Sequence, residues 1–118
     1  PALKNWTGER PTEPQLPLYA LSLPNTTQAI AWVHFSKGNN SQFLGLSAHD
    51  IDLSNVHTFL NKNTSLNWPC MITTWQKTFE NLAYQFYQGY AAVDPKEGTL
   101  TCRHCPYKLL CRIHQSNN

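Results

Sequence analysis

The chain has 118 residues, of which 41% are hydrophobic and 12% aromatic, the composition of a globular domain with room for one modest core. Charged residues make up only 14%, with a formal net charge of +2. That bias is too weak to argue for nucleic acid by itself, and no apolar run approaches the roughly 18 residues a membrane helix needs.

Residues 1–14 mix Pro, Gly and both signs of charge without periodicity, and read as a loop. A short helix is expected over residues 15–23, because Pro14 and Pro17 are tolerable at a helix start and Pro24 forbids continuation. Residues 28–36 carry Ile30, Trp32, Val33 and Phe35, a strand signal, and residues 41–46 read as a second strand. Lys37-Gly38-Asn39-Asn40 between them is turn chemistry, so the two should form a β-hairpin. Residues 47–69 are polar and ambiguous, with a short helical segment expected near residues 53–60. The strongest periodicity runs over about residues 71–90. Ile72, Trp75, Phe79, Leu82, Ala83, Phe86 and Tyr90 recur at spacings of three and four, one stripe of an amphipathic helix. The expected fold class is α+β, an antiparallel hairpin flanked by a short and a long helix, with residues 15–100 as the body and 101–118 as a cysteine tail.

Three groups of residues invite chemistry. Cys102, Cys105 and Cys111 form C-x2-C-x5-C, and thiols this close suit zinc or an iron–sulfur cluster better than a disulfide framework. The fourth ligand is either His114, which completes a Cys3His zinc knuckle, or a cysteine from elsewhere. Cys70 is a poor candidate. It starts a helix about 30 Å long, and the link from Tyr90 to Cys102 reaches only roughly 36–40 Å when fully extended, so a buried or inert thiol is expected. Second, Gln15 and Tyr19 lie four apart on the first helix and share a face, where an amide and a phenol could converge on one phosphate or one metal-bound water. The plainer alternative makes Gln15 part of a helix cap with Thr12 and Tyr19 a half-buried aromatic. Third, Asp94-Pro95-Lys96 matches the D-x-K pattern of metal-dependent nucleases, but a central Pro cannot sit in a core strand and the segment reads as a turn. His34, His49, His57 and Glu80 have no clear partners, and His104 is expected to point outward.

Sequons beginning at Asn5, Asn25, Asn39 and Asn63 permit a secreted reading. Cysteines crowded at one end would staple little of the fold, so the cytoplasm is expected instead. The chain opens on Pro1-Ala2-Leu3 without an initiator methionine and is read as a fragment of something longer.

The PQLPLYAL segment with Gln15 and Tyr19, the hairpin, the long helix leading to GYAAVDPK, and TCRHCPYKLLCRI follow one another in a telling order. Together they resemble the C-terminal half of a RecB-type PD-(D/E)XK nuclease domain, in particular the AddB-like bacterial DNA-repair proteins that carry an iron–sulfur cluster. The resemblance covers nearly all of the chain, with its specific parts in the Gln/Tyr element and the cysteine tail. It implies a remnant of an α/β/α restriction-endonuclease-like core, DNA as substrate, and a helicase subunit or domain as partner. It further implies that Gln15 and Tyr19 support the active site or the DNA backbone. Cys102, Cys105 and Cys111 would ligate a 4Fe–4S cluster whose fourth ligand lies far upstream. The family's Mg2+-binding carboxylates and D-x-K lysine precede the Gln/Tyr helix and have no match here, since Lys4 has no Asp two residues before it. The chain alone is therefore expected to be inactive. The alternative is a non-catalytic Cys3His zinc module for nucleic acid or protein.

Overall fold

The computed structural model describes residues 3–35, 42–53, 56–58 and 67–111. It is an α+β chain with helices α1 (Gln15–Ser22), α2 (Trp68–Tyr87), α3 (Thr99–Cys102) and α4 (Lys108–Cys111) and strands β1 (Ala29–His34), β2 (Gln42–Ser47) and β3 (Val56–Thr58). Contacts divide it into two compact units, Pro1–Leu82 and Ala83–Asn118, so the division falls inside α2.

In the first unit, α1 begins on Pro14, whose carbonyl accepts the Leu18 N–H at 2.9 Å. Pro17 falls in the first turn, where a missing N–H costs nothing. The helix stops before Pro24, and the Thr27 hydroxyl donates to the Leu23 carbonyl at 2.8 Å. Strands β1 and β2 pair antiparallel with Ile30 opposite Leu46 and Trp32 opposite Leu44. Gly45, opposite Ala31, is buried, and a Cβ there would run into the Ile30 carbonyl oxygen and lie 2.6 Å from the Ala31 Cβ. The close approach of β1 to β2 needs glycine.

The helical segment expected near residues 53–60 is not found over 56–58. Those residues form β3, which pairs parallel with β2 through Gly45–Val56, Leu46–His57 and Ser47–Thr58. Val56 and Thr58 are β-branched and suit a strand, and a run this short holds no helical periodicity to oppose the sheet. The rest of that expected segment, apart from Leu53, lies outside the described residues. The sheet is thus mixed, in the order β1-β2-β3, rather than an antiparallel hairpin alone.

Helix α2 starts three residues earlier than its apolar stripe suggests. The Asn67 side chain accepts the Cys70 N–H at 2.9 Å, an N-cap that places Pro69 harmlessly in the first turn. Its other end is a Schellman closure. Gly89 takes φ +72°, its N–H reaches the Phe86 carbonyl at 3.0 Å, and the Tyr90 N–H reaches Gln85 at 2.9 Å. Tyr90 is therefore beyond the helix. The stripe is only partly buried: Ile72 and Trp75 are in the core and Phe79 packs against it, whereas Ala83, Phe86 and Tyr90 are exposed.

The core gathers Trp6, Ala20, Ile30 and Leu46 with Trp68, Met71, Ile72 and Trp75 of α2. Trp68 and Trp75 meet edge to face at 6.1 Å between ring centres. Both indoles bond to distant backbone, Trp68 Nε1 to the Thr27 carbonyl at 2.8 Å and Trp75 Nε1 to the Trp6 carbonyl at 2.7 Å. The amino-terminal segment is irregular, as expected of a loop, apart from a 3-10 turn at Leu3–Asn5. It nevertheless contributes a core tryptophan.

In the second unit, the Gly98 N–H closes a turn on the Pro95 carbonyl at 3.1 Å, so Asp94-Pro95-Lys96 opens a turn, as its proline dictates. The Lys108 ammonium caps the Arg103 carbonyl at 2.9 Å, tying α4 to the end of α3. Among the described residues no helix is long and apolar enough to cross a membrane.

Two substitutions test this packing by urea melts. Gly45→Ala should cost about 1–3 kcal/mol through overpacking against β1. Trp75→Phe should cost about 1–3 kcal/mol by stranding the Trp6 carbonyl. Wild-type midpoints for both would contradict the packing described.

Candidate functional site

Helix α1 presents two faces. Leu16, Pro17, Ala20 and Leu21 turn toward the core, leaving Gln15, Leu18, Tyr19 and Ser22 outside. On that outer face the Gln15 amide Nε2 donates to the Tyr19 Oη at 3.0 Å. The helix has no side-chain cap, so the Thr12–Gln15 cap alternative is not what forms, and Tyr19 is 60% exposed rather than half-buried. A phenol oxygen that accepts from the amide keeps its own proton to donate elsewhere. Chemically, the pair is a pre-oriented O–H donor on solvent, suited to an anionic oxygen.

Glu13, two residues before Gln15, is fixed by reciprocal bonds to Asn5. Its N–H donates to the Asn5 carbonyl at 3.0 Å, and its Oε1 accepts from Asn5 Nδ2 at 3.1 Å. It lines an open groove of about 670 Å³ with Trp32, Val33 and His34 of β1 and Gln42, Phe43 and Leu44 of β2. His34, without a clear partner in the sequence, thus lines a groove with Glu13 and Gln42, neither of which carries a sequence signal of its own. The available signal is the hairpin register, which sets His34 opposite Gln42 and Val33 opposite Phe43.

The cysteines are all free: Cys102 is buried, Cys105 and Cys111 are half-buried, and Cys70 is exposed. Of the two expectations for Cys70, buried or inert, the first is not met, because its side chain leaves the capped first turn away from the Trp68, Met71, Ile72 and Trp75 stripe. The Cys105 N–H donates to the Cys102 carbonyl at 3.2 Å, while the Cys111 thiol turns back on the Lys108 carbonyl at 3.8 Å. The donor chemistry suits a soft metal or an iron–sulfur cluster. Yet no three His, Cys, Asp or Glu among the described residues come together as an ion site, and the thiols as placed do not fit one. His114 lies outside the described residues.

Of the remaining candidates, His34, His49 and His104 are exposed, and the Glu80 Oε1 accepts from Gln76 Nε2 at 2.9 Å. Five basic and five acidic residues fall in Pro1–Leu82, against four basic and two acidic in Ala83–Asn118. The whole net charge therefore resides in the unit that holds the cysteine triplet. Comparison with known protein families, curated proteins and solved structures returns no match to this chain.

Because Gln15 and Tyr19 are exposed, Gln15→Ala and Tyr19→Ala should each change stability by no more than about 0.5 kcal/mol. Losses well above that in thermal or urea melts would give the pair a structural role instead.

Proposed function

We propose that this chain is the C-terminal portion of a RecB/AddB-type, metal-dependent DNA-repair nuclease of the cytoplasm, acting on DNA together with a helicase subunit or domain. The supporting observation is the bond from Gln15 to Tyr19 on the exposed face of α1. A hydrogen-bonded amide and phenol outside the core have no packing role, and they resemble the Gln/Tyr element of such nucleases in residue type and spacing.

In the longer protein, Mg2+ held by carboxylates outside these residues would polarise the phosphate and activate water. The part left to this chain is positioning. Gln15 holds the Tyr19 phenol in one rotamer, and the phenol donates its proton to a phosphate oxygen of the bound strand, keeping the phosphodiester in register. By the same resemblance Cys102, Cys105 and Cys111 would be ligands of a 4Fe–4S cluster outside the hydrolysis, although their thiols as placed do not come together as such a site.

A second reading, a non-catalytic Cys3His zinc module, draws support from Cys102, Cys105 and Cys111 lying in the one unit, with His114 three positions after Cys111 in the sequence. Metal analysis separates the two. The longer protein, purified without oxygen, should contain iron and acid-labile sulfide that Cys105→Ala abolishes. One tightly held zinc, lost on His114→Ala, would replace the cluster with the zinc module.

Cleavage assays test the nuclease reading. In the longer protein Gln15→Ala and Tyr19→Ala should each lower the cleavage rate by about 10- to 100-fold, the scale of a misplaced substrate, and Tyr19→Phe less. Wild-type rates in both alanine variants would remove the pair from the mechanism. The 118-residue chain should not cut single- or double-stranded DNA with Mg2+ or Mn2+. Cleavage that disappears on mutating Glu13 or Asp94 would overturn the assignment of catalysis to residues elsewhere.

A further inference from the structure

On one face of the β1–β2 ribbon, three successive cross-strand pairs grade from core to open surface. Ile30 and Leu46 are buried, Trp32 is 37% exposed opposite half-buried Leu44, and His34 and Gln42 are exposed. The groove begins where the core ends, with Trp32 as its aromatic wall and Glu13 among its lining residues. Its volume, about 670 Å³, is that of a small-molecule pocket. One unstacked nucleotide fits such a space and a duplex does not.

The chemistry of the lining narrows the occupant. Among the described lining residues a carboxylate is present and no Lys or Arg is, which disfavours phosphate beside them. The Trp32 indole offers apolar ring surface for a flat heterocycle. At the polar end, the Glu13 carboxylate is held in place by Asn5, and the Gln42 amide and His34 imidazole add donor and acceptor capacity. A carboxylate beside an aromatic wall favours a ring that carries N–H donors, which cytosine, adenine and guanine present on an exocyclic amine and thymine does not.

We infer that this groove binds one extruded, amine-bearing base of a single-stranded DNA. The assignment rests on the reading of the chain as part of a DNA nuclease. It adds that the strand is held by a base near Glu13 while its phosphate meets Gln15 and Tyr19 on the adjoining helix.

The 118-residue chain can be titrated with a dC heptamer, a dT heptamer and an abasic strand of the same length, using fluorescence anisotropy and the Trp32 indole N–H resonance. The dC strand should shift that resonance and bind tightest, the dT strand should bind several-fold more weakly, and the abasic strand should leave Trp32 unmoved. Trp32→Ala should weaken dC binding by about 5- to 150-fold, the range of one base–aromatic stack. Exposed Gln42→Ala should weaken it several-fold with an unchanged circular dichroism spectrum, which keeps the test valid if Trp32→Ala unfolds. Equal affinity for the abasic and dC strands, or binding that leaves Trp32 unmoved, would overturn the base pocket. A longer protein that cleaves DNA through Gln15 and Tyr19 while the groove ignores dC refutes this inference alone. A groove that takes dC in a protein without nuclease activity refutes the nuclease reading alone.

Discussion

The structure of the first unit hangs on one buried hydrogen bond, from Trp75 Nε1 to the Trp6 carbonyl at 2.7 Å, between residues 69 positions apart. Trp6 is 2% exposed and Trp75 1%. With both groups out of water, losing either partner strands a polar atom, so the bond specifies an arrangement more than it adds net stability. Its consequences run outward along the chain. Seating Trp6 places Asn5, Asn5 holds Glu13 at both backbone and side chain, and Glu13 leads directly into α1. The outward face of α1 and one wall of the groove are therefore set by a contact with α2. The Trp6 Nε1 itself finds no acceptor among the described residues, a cost of about 1–3 kcal/mol that the surrounding aromatic packing must offset.

What could be read in advance was what local chemistry dictates. Pro14 and Pro24 bracket α1 whatever the rest of the chain does, and the four-residue spacing places Gln15 and Tyr19 on one face of any helix. The hairpin followed from its Lys37–Asn40 turn chemistry and apolar flanks. Trp6 escaped because a residue in an aperiodic, proline-rich stretch reveals burial only through a tertiary partner. Strand β3 escaped for a related reason: three residues carry too little pattern to oppose a polar context, and the pairing to Gly45–Ser47 decides them. The early start of α2 was legible in Asn67 and Pro69, an N-cap followed by a first-turn proline, although the apolar stripe drew the boundary to Met71. Gly45 was legible too, since a lone glycine within a strand marks a close backbone approach. The groove was not, because its wall joins a loop carboxylate to a strand pair.

The two units differ in what they can attract. Pro1–Leu82 balances its formal charges, and its groove carries a carboxylate, so a ligand proposed for it would be chosen by shape and hydrogen bonding. Ala83–Asn118 carries the whole positive excess and exposes Tyr84, Phe86, Tyr87 and Tyr107. A polyanion meets a long-range attraction in the second unit alone, an attraction that salt screens within about 10 Å at 0.1 M. On the proposed reading, the salt-dependent part of binding would belong to the second unit and the selective part to the first.

Strand β1 carries a liability of another kind. Among the described residues it is the outer strand of the sheet, yet Ala29 through Phe35 include no Lys, Glu or Pro, the residues that proteins place on open edges. Val33 and Phe35 add exposed apolar surface on the opposite side of the strand from Trp32. An open edge of this kind is a template for an extended peptide, including another copy of the chain. Where that edge stays bare, rising concentration favours such pairing, and Val33→Lys, at an exposed position, is the change that would oppose it.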